Sequence, residues 1–215
     1  MSVDKSGRAL LVVNSLAAVG EPKYSWLYEF CEASGVAVAE TVLKPHYAEY
    51  RKLTAPHATK DAFLRALRSL GGDPAVEAID VLLMLHGSEN ALHFDGGAAR
   101  TGDLRGELAA LGLRGKLRML YSTCCYGDSH SDDLVAGGFR AAVGAAAVNA
   151  NAATEYPTVL TLWAAGSALK DAVAAGETPL TRVPQDGIAR MMGFADADSD
   201  KTIRGDGRIT IASAA

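Results

Sequence analysis

Hydrophobic positions along the chain fall into continuous aliphatic runs separated by amphipathic stretches. Arg8 to Asn14, RALLVVN, is rich in branched residues of the kind that a strand buried on both faces requires. Asp80 to Leu85, DVLLML, and Lys116 to Ser122, KLRMLYS, repeat this pattern. The first of these two runs directly into His86-Gly87, and the second into Thr123-Cys124-Cys125-Tyr126-Gly127. Ala141 to Val148 reads as a strand of small residues, and Val36 to Leu43 as a shorter strand.

Helical spacing fills the intervals. Trp26, Leu27, Phe30 and Cys31 predict a helix over Lys23 to Ser34, stopped at Gly35. Phe63, Leu64, Leu67 and Leu70 share one face of a helix that opens at Thr59 or Lys60 and ends at Gly71-Gly72. Further helices are expected over Leu104 to Leu111, Asp132 to Arg140 and Pro157 to Ala174, while Lys44 to Thr59 lacks steady periodicity and reads as a loop. The tail predicts a hairpin at about 200–212, with Lys201-Thr202-Ile203 and Arg208 to Ile211 flanking Gly205-Asp206-Gly207. Strands alternating with helices predict one α/β domain over 1–215, with a mostly parallel central sheet covered on both faces.

Composition narrows the partners. With 49% hydrophobic and 21% charged residues the chain has the profile of a folded globular protein. A formal charge of -4 supplies no general attraction to phosphate backbones, so nucleic acid is not an expected partner. No apolar run has the length needed to span a membrane. The opening MSVDKSGRAL lacks the basic segment, apolar run and cleavage site of a secretory signal, and three cysteines, two of them adjacent, make no disulfide framework. Together these features lead us to expect a cytoplasmic protein. Assembly into a homo-oligomer or larger complex stays open.

The chemistry gathers at two strand ends. Ligand sites of open α/β sheets lie at the carboxyl ends of the strands, and the runs ending at His86 and at Cys124-Cys125 are separated by enough chain for a crossover containing a helix. A right-handed parallel arrangement would bring that histidine and one cysteine together. Adjacent strand residues point to opposite faces, so only one of the two thiols can face His86. Other chemistries find no support. The Gly-rich phosphate loops and the Gly-x-Ser-x-Gly elbow are absent, and no Cys-x-x-Cys or His-x-x-x-His spacing suggests a metal. Asp196, Asp198 and Asp200 begin like a calcium loop, but Lys201 and Gly207 stand where its sixth and twelfth positions need Gly and Glu.

An aliphatic strand ending in His-Gly, LLMLHG at Leu82 to Gly87, followed by one ending in LYSTCCYG at Leu120 to Gly127, resembles the caspase-like clan of cysteine peptidases. That clan includes caspases, legumains, gingipains, clostripain and CHAT domains. LVAGGFRAAVGAAAV at Leu134 to Val148 resembles the helix and strand that follow in the clan. The resemblance implies a three-layer α/β/α caspase-like fold and a cysteine endopeptidase that needs no cofactor and no metal. It cleaves peptide bonds through a Cys/His dyad and a thioester acyl-enzyme, with a protein or peptide as substrate. His86 would be the general acid/base, and the Gly87 N–H an oxyanion donor beside that of the nucleophile.

The nucleophile stays open between two positions. Cys-x-x-Gly, as in legumains and CHAT domains, selects Cys124, whereas Cys-x-Gly, as in caspases, selects Cys125. Ser122-Thr123-Cys124 also resembles the Ser-Ala-Cys of CHAT domains, which favours Cys124. By position in the clan, the pocket for the residue before the scissile bond becomes Asn14, Ser15, Ser122 and Asn149 to Asn151, all uncharged, with Asp128, Asp132, Asp133 and Glu155 in nearby loops. A catalytically silent caspase-like interaction module is the alternative function.

Overall fold

The computed structural model describes residues 2–20 and 22–215. The first aliphatic run forms strand β1 (Arg8–Asn14), followed by the single turn α1 (Leu16–Val19) and helix α2 (Ser25–Val38). The strand expected over Val36 to Leu43 is instead the end of α2 and a π-helical turn over Ala39–Leu43. Its buried members, Ala39 and Leu43, are four residues apart, which is helical spacing; the β-branched residues between them mislead. Strand β2 (Glu49–Thr54) arises within the segment expected to be a loop. It is an edge strand paired only with β1, and none of its residues is fully buried, so no aliphatic run marks it.

Helix α3 (Lys60–Gly72) is capped by the Thr59 side chain, which accepts from the Ala62 N–H at 3.2 Å. After it come β3 (Ala78–Met84), a small antiparallel sheet of β4 (His86–Ser88), β5 (Ala91–Phe94) and β6 (Gly97–Arg100), and α4 (Thr101–Ala110). Then follow β7 (Leu117–Ser122), α5 (Gly127–Gly137) and β8 (Ala141–Ala145). The single helix expected over Pro157 to Ala174 is two, α6 (Ala152–Ala164) and α7 (Leu169–Gly176), broken where Gly166 adopts φ +91°. Helix α8 (Pro179–Met191) has no counterpart among the expected elements.

The last strand, β9 (Lys201–Gly205), runs antiparallel to β8 instead of forming a hairpin with Arg208 to Ile211. Ile209 and Ile211 are buried in the core, and the Leu169 N–H donates to the Ile209 carbonyl at 2.9 Å. Burying those two side chains competes with pairing their backbone, and the core wins. Among the described residues the main sheet has six strands in the order β2-β1-β3-β7-β8-β9, with only β9 antiparallel. It is an α/β sheet of the expected mostly parallel kind.

Alternate residues divide between two apolar layers. Leu11, Val13, Val81 and Leu83 pack beneath Phe63 and Leu67 of α3, Leu104 of α4 and Leu134 of α5. Leu10, Val12, Leu82 and Met84 face Leu43 together with Val159 and Trp163 of α6 and Leu169 of α7. Within this second layer lies a buried polar network. The Asp80 carboxylate receives Arg118 Nε at 3.0 Å, Arg118 Nη2 at 2.6 Å, the Met119 N–H at 3.1 Å and the Tyr47 hydroxyl at 2.5 Å. Arg118 also donates to the carbonyls of Ile211 and Ser213, pinning the C-terminal segment beneath the sheet.

That network coincides with a bulge. Along β3 the pairing advances from Ile79 to Val81 while β7 advances from Leu117 to Leu120. The extra residue of β7 lets Arg118 reach Asp80 while the next residue, Met119, packs in the same layer. Beyond it the alternation resumes in the opposite phase, so Leu120 falls in the α3 layer and Tyr121 in the α6 layer.

Candidate functional site

The bulge decides where the two adjacent thiols go. Continuing its phase through the end of β7, Cys124 lies in the α3 layer, completely buried, and burial pushes its thiol up to about 11. Thr123 and Cys125 turn the other way and line a cleft at the carboxyl edge of the sheet. His86, the first residue of β4 and two past the end of β3, lines the same cleft. His86 and Cys125 therefore line one cleft, while Cys124, the thiol that the sequence favoured, is sealed in the core.

Cys125 sits on a tight strand-to-helix turn. Tyr126 adopts φ +57°, and α5 begins at the next residue. The left-handed residue is held by its own N–H, which donates to Ala147 at 2.7 Å, and by its hydroxyl, which donates to Asp196. Gly127 follows because its α-carbon packs on β8: a Cβ there would come within 2.6 Å of the Gly144 backbone. The glycine of Cys-x-Gly thus has a packing reason. On the other side the Asn149 N–H points to Cys125 Sγ at 3.5 Å, and Asn149 Nδ2 donates to the Thr123 carbonyl at 3.0 Å.

His86 is held from three directions. Its Nε2 lies 2.9 Å from the Leu16 carbonyl, which can only accept, so Nε2 carries the proton and Nδ1 is left as the acceptor of the neutral ring. Its ring packs edge-on against Tyr28, with centroids 4.6 Å apart, and a Cβ on Gly20 would come within 2.9 Å of Nε2. Burial pulls its pKa below the ordinary histidine value, opposed by the Leu16 carbonyl and aided by nearby His93. Burial raises the Cys125 thiol, opposed by the Asn149 N–H and the Lys201 ammonium. Both shifts favour an uncharged thiol and an uncharged imidazole near neutral pH.

Gly87 lies directly over the cysteine turn. A Cβ there would collide with the Cys125 carbonyl and come within 3.1 Å of Cys124 Cβ and 3.0 Å of the His130 ring. His130 is buried in α5, and its Nε2 donates to the Ser88 carbonyl at 2.8 Å. Beneath the site Lys201 donates to the Ser122 carbonyl at 3.3 Å and pairs with the buried Glu155 carboxylate at 3.5 Å.

No family model matches the sequence, and no curated protein does either. Solved structures do. The initiator caspase Dronc of Drosophila superposes with a TM-score of 0.59 at 12% identity, over 98% of this chain and 84% of that one. Caspase-1 of Spodoptera frugiperda gives 0.59 at 10% identity, over 94% and 87%. A secreted C11 cysteine protease of Bacteroides thetaiotaomicron, solved with an irreversible peptide inhibitor, gives 0.51 at 12%, over 80% and 57%. The chain has the caspase-like fold.

The cleft has two lobes, of about 280 and 630 Å3, which both include His86, Cys125, Tyr28 and Asn149. Of the residues expected to form the substrate pocket, Asn149 and Ala150 line it. Asn14, Ser15, Ser122 and Asn151 are buried behind it. Each has a structural bond: Asn14 Nδ2 donates to the Glu32 carbonyl, the Ser15 N–H to the Met84 carbonyl, Ser122 Oγ accepts from the Cys124 N–H, and the Asn151 N–H donates to Ser199. Cleft residues that the sequence did not single out include Tyr28, Thr123 and Gln185. Thr123 could have been found, because it stands two residues before Cys125 once that cysteine is chosen. Gln185 could not, since α8 itself was unforeseen.

Among the described residues no helix is long and apolar enough to cross a membrane.

Proposed function

We propose that the chain is a cysteine endopeptidase in which Cys125 is the nucleophile and His86 the general acid/base. The observation that carries this reading is that His86 and Cys125 line one cleft at the carboxyl edge of the sheet while Cys124 is enclosed in the core. Cys125-Tyr126-Gly127 then corresponds to the Cys-x-Gly of caspases.

The chemistry follows from the two uncharged groups. His86 Nδ1 accepts the thiol proton as Cys125 Sγ bonds to the substrate carbonyl carbon. The N–H groups of Gly87 and Cys125 receive the developing oxyanion, and the missing Cβ of Gly87 lets the cysteine turn pack close beneath it. The C–N bond then breaks as the imidazolium returns its proton to the leaving amine. Water attacks the resulting thioester with His86 as base, releasing the acid and restoring the thiol.

Incubation with a mixed peptide library, before and after iodoacetamide, tests the proposal. Cleavage that disappears on alkylation of Cys125 is the expected result. Unchanged peptides, with Cys125 labelled no faster than a free peptide thiol, would instead favour the silent interaction module.

A further inference from the structure

The lining of the cleft is uncharged among the described residues. Neither lobe is lined, among the described residues, by Asp, Glu, Lys or Arg. The acids that the sequence places near the site are engaged elsewhere: Asp128 with Arg204 and Thr202, Asp132 with Arg204, Asp133 with Arg105 and Thr101, and Glu155 with Lys201 and Tyr121. The smaller lobe runs inward from Cys125 and Thr123 between Leu27, Met84 and Tyr156. Met84 is seated against Gly35, where a Cβ would come within 2.7 Å of its Sδ and Cε. At about 280 Å3 the lobe has the liquid volume of about nine waters, at roughly 30 Å3 each, enough for an aliphatic or thioether side chain.

We infer that this lobe receives the side chain preceding the scissile bond and selects an apolar residue, of the size of Leu or Met, against Asp, Glu, Lys and Arg. The inference rests on the peptidase reading and names its substrate class. A charged side chain would enter the lobe with no opposite charge to meet it, and an unpaired buried charge is disfavoured by far more than one power of ten. An apolar side chain gains by leaving water.

Two measurements test it. Peptides that differ only in the residue before the scissile bond, Leu, Met, Gln, Asp or Arg, are compared for cleavage by the wild type and for binding to Cys125→Ala by calorimetry. Leu and Met should exceed Asp and Arg by about 100-fold in kcat/KM and rank first in binding. Asp or Arg equal to Leu in either assay overturns the inference. Absent cleavage with the apolar order kept in binding overturns only the peptidase reading, and absence of both overturns the two together.

The second measurement places an acid in the lobe. Ala153 lines it from the first turn of α6, where an added carboxylate suits the helix N-terminus, so Ala153→Asp is expected to fold. The variant should raise the Arg-to-Leu ratio at least about tenfold. A folded Ala153→Asp protein with an unchanged ratio overturns the assignment of this lobe.

Discussion

His86 Nε2 is tied to the Leu16 carbonyl at 2.9 Å, so the turn after β1 sets the orientation of a ring carried at the end of β3. The carbonyl fixes the tautomer as well as the angle, leaving Nδ1 as the acceptor of the neutral ring. His86→Ala should therefore lower peptide turnover by about 100-fold to 10,000-fold with the circular dichroism spectrum retained. Wild-type turnover in the folded variant would remove His86 from the mechanism.

The two cysteines should separate cleanly. Cys125→Ala should abolish iodoacetamide-sensitive cleavage while leaving the urea midpoint nearly unchanged, because its side chain borders the cleft. Cys124→Ala should keep turnover and lower stability by about 1–3 kcal/mol, the usual cost of a core truncation. The reverse pattern would return the nucleophile to Cys124.

Thiol reactivity gives a pH signature. Because burial raises the Cys125 pKa and lowers that of His86, iodoacetamide labelling of Cys125 should climb with pH to a midpoint above the ordinary thiol value. A plateau of fast labelling between about pH 5 and pH 8 would mean a thiolate–imidazolium pair and contradict the uncharged ground state.

Glu177 sets a pH dependence of stability. Burial raises its carboxyl to about 7, with Glu155 and Asp200 adding to the rise and Lys201 opposing it. Between the ordinary carboxylate value and about 7 the unfolded chain releases this proton while the folded one keeps it, so stability falls as pH rises through that window. Glu177→Gln should remove that decline and raise Tm at pH 8. Parallel Tm profiles for variant and wild type would show that Glu177 contributes nothing to it.

Asp80 and Arg118 are both wholly buried and form a salt bridge at 2.6 Å. Asp80→Ala leaves the guanidinium without its counter-charge and should cost about 3–5 kcal/mol in denaturant unfolding. A loss below about 1 kcal/mol would mean that the Ile211 and Ser213 carbonyls suffice to hold the cation.

The strands that build the sheet's centre were legible because their burial on both faces demands uninterrupted aliphatic residues, as in β1 and β3. Edge strand β2 was not, since its exposed side frees the sequence from that demand. His86 and Gly87 were readable from their position after β3. The orientation of Cys124 and Cys125 was not, because the residue added at Arg118 and Met119 inverts the alternation along β7. Nothing in KLRMLYS announces a bulge until Asp80 is known to face Arg118. Of the pocket residues taken from position alone, Asn149 and Ala150 reach the cleft, whereas Asn14 and Ser122 serve the backbone behind it.

The bonds from Arg118 to Ile211 and Ser213 span 93 and 95 positions of sequence. On the ribosome, β3 and β7 emerge long before the carbonyls that complete the coordination of this guanidinium. Until then the cation has only water, Asp80 and its neighbours in the sheet to meet it. The segment holding Ile211 and Ser213 thus acts as a latch on the sheet, and docking of that layer is a long-range event whose loop entropy is recovered only once this distant segment has been made.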